Sequence, residues 1–202
     1  MIKAKDCGFI LKNYLPVKHQ VIILNQDGEC LQVVVRKSLI LEKLRPGYQV
    51  QYSLVPGLNY ANLVDIEIVN TPVLIDYLTL EFLHQVLELC VLAIPIGQIT
   101  TGVIDIIKMV TTGSQNSWSS YKKRLLICCL LSAVGFYPEV NSVQDYNFIL
   151  KISKIDATKI DSFSSFRFDV ELDLLLIKWI ADFINGDDAS RLANLFATIC
   201  QN

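Results

Sequence analysis

Residues 123–139 read KRLLICCLLSAVGFYPE. The stretch has a basic start, an apolar run carrying adjacent cysteines, then a glycine, two aromatics and a proline. A metal site, a membrane insertion and a buried helix are the three readings, and each imposes a different fold on the 202-residue chain. On a helix, Cys128 and Cys129 point about 100° apart, so they do not face one metal together. The apolar part runs only from Leu125 to Tyr137, short of the roughly 20 residues that a spanning helix needs. What remains is a helix apolar nearly all round, the central buried helix of a bundle. It is expected to begin near Trp118–Tyr121 and to stop at Gly135, with Pro138 just beyond the end.

The whole composition is compatible with that reading. Hydrophobic residues make up 52% of the chain and mean hydropathy is +0.40, which raises the membrane question a second time. The uncharged stretch between Glu88 and Asp105 is interrupted by Pro95 and Gly97 and is too short to span. The opening MIKAKDCGFILKN lacks the apolar core of a signal peptide. A soluble, cytoplasmic protein with no membrane partner is expected. Six cysteines without a C-x-x-C pair, and only two histidines, offer no zinc spacing. The cysteines read as small buried hydrophobes, and no metal, cofactor or disulfide is expected.

Outward from the central helix, the chain divides into two patterns. Residues 1–71 hold five short β-branched or alternating segments: CGFILKNYL, HQVIILNQDG, ECLQVVVRKS, YQVQYSLV and YANLVDIEIV. Asn25-Gln26-Asp27-Gly28 is a hairpin-type turn, and Arg45-Pro46-Gly47 and Pro56-Gly57 are further breaks. This pattern predicts a small barrel of the OB type, with an SH3-like barrel as the competitor. After Thr71-Pro72 the spacing turns helical. Leu80, Leu83, Leu87, Cys90 and Val91 share one face of a helix over about 73–94, and another helix covers 99–111. Within 140–168, YNFILKIS alternates like a short strand and DSFSSFRFD reads as loop or edge structure. A helix over 169–183 stops at Asn185-Gly186, and Asp187-Asp188 caps a last one over 188–200. The expected fold is α+β: an OB-type β-barrel over 1–71, then an all-α helical domain over 72–202.

These parts, in this order, resemble the RecO family of bacterial recombination mediators. Leu130-Leu131-Ser132-Ala133-Val134-Gly135-Phe136-Tyr137-Pro138-Glu139 is similar to that family's leucine-rich helix running into a Gly-aromatic-x-Pro turn. Gly8-Phe9-Ile10-Leu11-Lys12 looks like its opening strand, and Ile22-Ile23-Leu24 with Asp27-Gly28 like its second strand and turn. Arg36-Lys37-Ser38 and Leu44-Arg45-Pro46-Gly47 fall where the family has a basic loop and a leucine-proline segment, and Ala189-Ser190-Arg191 resembles its late Ser-Arg. The resemblance spans nearly the whole chain through short motifs. It departs at two places. Residues 140–148 contain none of the cysteines of the family's four-cysteine zinc element, and the basic loop is reduced to Arg36 and Lys37.

The resemblance implies a non-catalytic mediator of DNA repair and recombination. Such a protein binds single- and double-stranded DNA, anneals complementary strands, interacts with single-stranded-DNA-binding protein and helps load recombinase with a RecR-like partner. That work needs a cationic groove and exposed aromatics. Residues 1–70 carry eight Lys and Arg against six Asp and Glu, net +2; residues 71–202 carry ten against fourteen, net −4. Candidate DNA-binding residues are Lys12, Lys18, Arg36, Lys37, Lys43 and Arg45, with Tyr14, Tyr48, Tyr52 and Tyr60 as stacking platforms or core residues. Lys122, Lys123 and Arg124 form a second basic patch, oddly placed because cations in a first turn oppose the helix dipole. No phosphate-loop, dinucleotide or zinc-protease motif is present, and His19, His84, Glu88 and Asp105 have no sequence-level catalytic partner, so no enzyme is expected. The alternative is a protein-interaction adaptor that has lost DNA binding, its apolar content serving a partner groove.

Overall fold

Five β-branched segments become strands because alternate side chains of each bury against one another. The strands are β1 (Asp6–Asn13), β2 (Gln20–Asn25), β3 (Cys30–Val35), β4 (Gln49–Val55) and β5 (Ala61–Asn70). The computed structural model describes residues 5–15, 17–35, 44–73, 77–112, 119–140, 143–154 and 170–186. The strands close into a barrel in the order β1-β2-β3-β5-β4. All neighbours are antiparallel except β3 and β5, which run parallel from Val33↔Ala61 to Val35↔Leu63. Ile10, Val21, Ile23, Val33, Val50 and Tyr52 fill the interior. The Tyr52 hydroxyl donates to Asp6 Oδ2 at 3.2 Å; burial first, and then Asp6, push the phenol pKa up. Tyr52 is therefore a core residue rather than a stacking platform.

Five helices follow among the described residues: α1 (Tyr77–Ala93), α2 (Val103–Thr112), α3 (Ser120–Ala133), α4 (Val143–Ile152) and α5 (Val170–Gly186). Among those residues no helix is long and apolar enough to cross a membrane. One expectation is overturned here. The segment YNFILKIS is helical, within α4, because Ile149 and Ile152 bury three residues apart while Tyr146 and Leu150 stay exposed. The segment DSFSSFRFD, the last helix over 188–200 and Ala189-Ser190-Arg191 lie outside the described residues.

The chain packs as two compact units, Met1–Gln115 and Asn116–Asn202. In the first, the barrel and the two helices after it fold together. Only Val33–Val35 of β3 pair with β5, which leaves the earlier part of that strand edge open. The link between α1 and α2 covers it. Cys30 N–H donates to Gln98 O at 3.1 Å, Gly97 N–H to Cys30 O at 2.7 Å and Thr100 N–H to Gly28 O at 2.9 Å. An edge that would otherwise recruit another chain is thereby occupied. A bulge between Ile10 and Lys12 lets β1 bury two successive side chains: Ile10 in the barrel core, and Leu11 beside Leu87 and Val91 of α1.

In the second unit α3 packs against α5 and α4, and Leu125 to Leu131 are all buried. Ser119 caps α3 by accepting from Lys122 N–H. At the other end Phe136 N–H donates to Leu131 O and Gly135 N–H to Ser132 O, with Gly135 at φ 85°. That is a Schellman stop, which glycine adopts without the Cβ penalty. The two residues after it dock on α5. Phe136 meets Phe183 edge-on with centroids 5.1 Å apart, Tyr137 lies over Trp179 at 6.1 Å, and the Trp179 indole N–H donates to Phe136 O at 3.1 Å. The GFYP turn is thus a packing device.

Buried thiols make both units sensitive to alkali. Burial, then Glu29, push Cys30 from its ordinary 9.0 up to about 11, and burial pushes Cys129 up to about 12. Above pH 9 the unfolded chain releases these protons while the folded one retains them, so stability falls as pH rises. The thermal midpoint is expected to hold up to about pH 9 and to fall between 9 and 12. Cys129→Ala should show a shallower fall in a pH series of melting curves; an unchanged slope would remove the thiol from the account.

Candidate functional site

Strands β2 and β3 turn one face outward between two loops. Gln20, Gln32 and Val34 lie on that face, Lys18 and His19 come from the β1–β2 loop, and Tyr60 comes from the β4–β5 loop; together they line an open cleft of about 470 Å³. Among the described residues no carboxylate lines it. The floor is fixed by a hydrogen bond from Gln32 Nε2 to Gln20 Oε1 at 2.9 Å and by the β2–β3 ladder, in which Gln20 faces Val34.

The β1–β2 loop holds its cations by local bonds. Asn13 Oδ1 accepts from Leu15 N–H at 2.8 Å and Asn13 Nδ2 donates to Leu44 O at 2.9 Å, an Asx turn that starts the loop. Lys18 N–H then donates to Tyr14 O at 3.0 Å, and Val35 N–H to His19 O at 3.0 Å. Both Lys12 and Lys18 stand over the Tyr14 ring, their Nζ atoms 5.3 and 5.8 Å from its centroid. Each contact is an ordinary cation–π attraction of about 0.5–1 kcal/mol. Two like charges gathered at one ring also repel each other, and an anion between them relieves that repulsion.

Opposite charge collects at the other end of β2. Asp6, Asp27 and Glu29, with Lys5 and Asn25, border a second cleft of about 480 Å³. The barrel surface therefore runs from acidic at the β2–β3 turn to basic at the β1–β2 loop, and an anionic ligand is steered to the basic end.

The candidate residues named from the sequence divide as follows. Lys12 and Lys18 converge at Tyr14, and Tyr60, 43% exposed, forms the cleft wall. Tyr48 packs against the barrel core. Arg45 is exposed in the turn before β4 and does not line the cleft. Arg36, Lys37 and Lys43 lie outside the described residues; Arg36 follows Val35 directly in the chain. In the second unit Lys123 and Arg124 are 9% and 4% exposed, Lys122 is half-buried, and none of the three lacks a partner. They form part of a packed helix rather than an open basic patch. His84 and Glu88, one turn apart on α1, border a smaller groove of about 220 Å³ with Lys12, Pro46, Leu87 and Val91.

Gln20, Gln32 and Val34 escaped sequence reasoning. Their signal was present as the outward half of two alternating strands, but only barrel closure shows that this half meets both loops. Compared with known proteins, the chain matches no family model and no curated protein.

Proposed function

We propose that the chain is a non-enzymatic, RecO-like DNA-binding mediator whose barrel is of the OB type. The strand order β1-β2-β3-β5-β4 with a parallel β3–β5 closure supports an OB assignment. Barrels of that kind bind oligonucleotides on the β2–β3 face between the β1–β2 and β4–β5 loops. One observation carries the functional reading: the cleft lined by Lys18, His19 and Tyr60, with no carboxylate among its described lining residues, lies on that face between those loops. Lysines at Tyr14 take phosphates and Tyr60 offers a ring to a base. Docking to single-stranded-DNA-binding protein and to a RecR-like partner belongs to the same reading and rests on the sequence resemblance.

Fluorescence anisotropy of a labelled single strand, from low to physiological salt, tests it. Binding is expected to weaken steeply with salt. Lys12→Ala with Lys18→Ala should lower affinity about tenfold or more, and should flatten the slope of log affinity against log salt by roughly 1.4, two single-strand phosphate contacts. Absence of binding even at low salt would overturn the DNA reading. An adaptor is the second reading, and one observation favours it: Val143, Tyr146 and Leu150, spaced along one face of α4, are 76%, 54% and 36% exposed.

A further inference from the structure

The β4–β5 loop, residues 56–60, carries a feature that phosphate binding does not use. Leu58 is fully exposed at 105%, yet the loop holding it is tightly built. A Cβ on Gly57 would stand 2.1 Å from Tyr60 O and 2.6 Å from Asn62 Nδ2, so only glycine fits there. Leu58, Pro56, Gly57 and Asn59, with Val34, Tyr60 and Asn62, line a cleft of about 550 Å³. Val34 and Tyr60 are shared with the cationic cleft, so the two clefts are neighbouring halves of one surface. Asn62 is only 6% exposed, and its amide lines the cleft beside Gly57.

We propose that this second cleft is a subsite for one unpaired nucleobase, an inference that rests on the DNA-binding reading. The chemistry is that of a flat group with apolar faces and a polar edge. Leu58, Pro56 and Val34 provide apolar walls, the Tyr60 ring provides a stacking face, and the Asn59 and Asn62 amides each present a donor and an acceptor to a base edge. Lys18 and His19 lie one side chain away, across Tyr60, where the phosphate attached to that base is held. The volume falls within the roughly 300–1,000 Å³ of ordinary small-ligand sites. A paired base has its edge engaged and its faces stacked, so the subsite selects unpaired nucleotides.

The test compares a labelled deoxythymidine oligonucleotide with an abasic strand of the same length, by anisotropy at low salt. The intact protein is expected to bind the thymidine strand about tenfold tighter, as one stacked base contributes. In the Leu58→Ala, Tyr60→Ala double variant the two affinities should converge. Equal affinity of the intact protein for both strands would overturn the subsite and leave the phosphate reading standing. A preference that survives in the double variant would remove the base from this cleft. Failure to bind either strand would overturn the subsite together with the DNA-binding reading.

Discussion

Trp179→Ala is expected to cost the second unit about 3–5 kcal/mol, the range for deleting a large buried aromatic side chain. Trp179 is fully buried, and it meets the GFYP turn in two ways. Its ring lies beside Tyr137 at 6.1 Å with an interplanar angle of 29°, and its N–H satisfies Phe136 O at 3.1 Å. Alanine removes the ring contacts, opens a cavity between α3 and α5 and leaves the Phe136 carbonyl without its donor. Trp179→Phe separates these effects, because it keeps most of the ring and loses the N–H; about 1–2 kcal/mol is expected. Denaturant titrations followed by circular dichroism, with hydrogen exchange of the α3 amides, provide the measurement. A loss under about 1 kcal/mol for the alanine variant would mean that the turn is not what clamps α3 to α5.

Gly28→Ala should destabilise the first unit by about 3 kcal/mol. The glycine sits at φ +84°, and a Cβ there would come within 2.0 Å of Thr100 O. The left-handed conformation alone costs a non-glycine residue about 1–2 kcal/mol. The remainder comes from pushing the 97–100 segment away from β3, with loss of the bonds from Thr100 N–H to Gly28 O and from Cys30 N–H to Gln98 O. Gly97→Ala is the control. Gly97 has nearly the same φ, +82°, but nothing lies within 4 Å of its added Cβ, so only the conformational part should appear. Faster hydrogen exchange at Cys30 and Thr100 in Gly28→Ala, but not in Gly97→Ala, would assign the difference to the contact. Equal losses in both variants would assign it to φ alone.

Strand β2, buried from Val21 to Asn25, was legible from its short β-branched run and the Asp27-Gly28 turn after it. Strand β4 was legible because Val50, Tyr52 and Leu54 bury while Gln49 and Gln51 stay partly exposed, as in a half-buried strand. The central helix was legible for the opposite reason: its run is apolar on all sides and ends in Gly-aromatic-aromatic-Pro. What failed was α4. Tyr146, Phe148 and Leu150 imitate a strand's alternation, while the residues that bury deepest, Ile149 and Ile152, follow the helical spacing. The cleft was half legible. Cations near turns mark a surface, but which of them meet depends on how a closed barrel returns one loop to another. Lys123 and Arg124 show the limit from the other side, since a basic run says nothing of burial until the neighbours of its helix are known.

Covering the β3 edge with residues 97–100 also affects the order in which the chain becomes structured. The bonds concerned join Gly28 and Cys30 to partners roughly 70 positions later. On a ribosome adding about 5–20 residues per second, the hairpin made by β2 and β3 emerges several seconds before its cover is synthesised. During that interval the exposed strand edge is free to pair with a neighbouring nascent chain. Slower elongation just after the barrel is therefore expected to lower the soluble yield, and faster elongation to raise it.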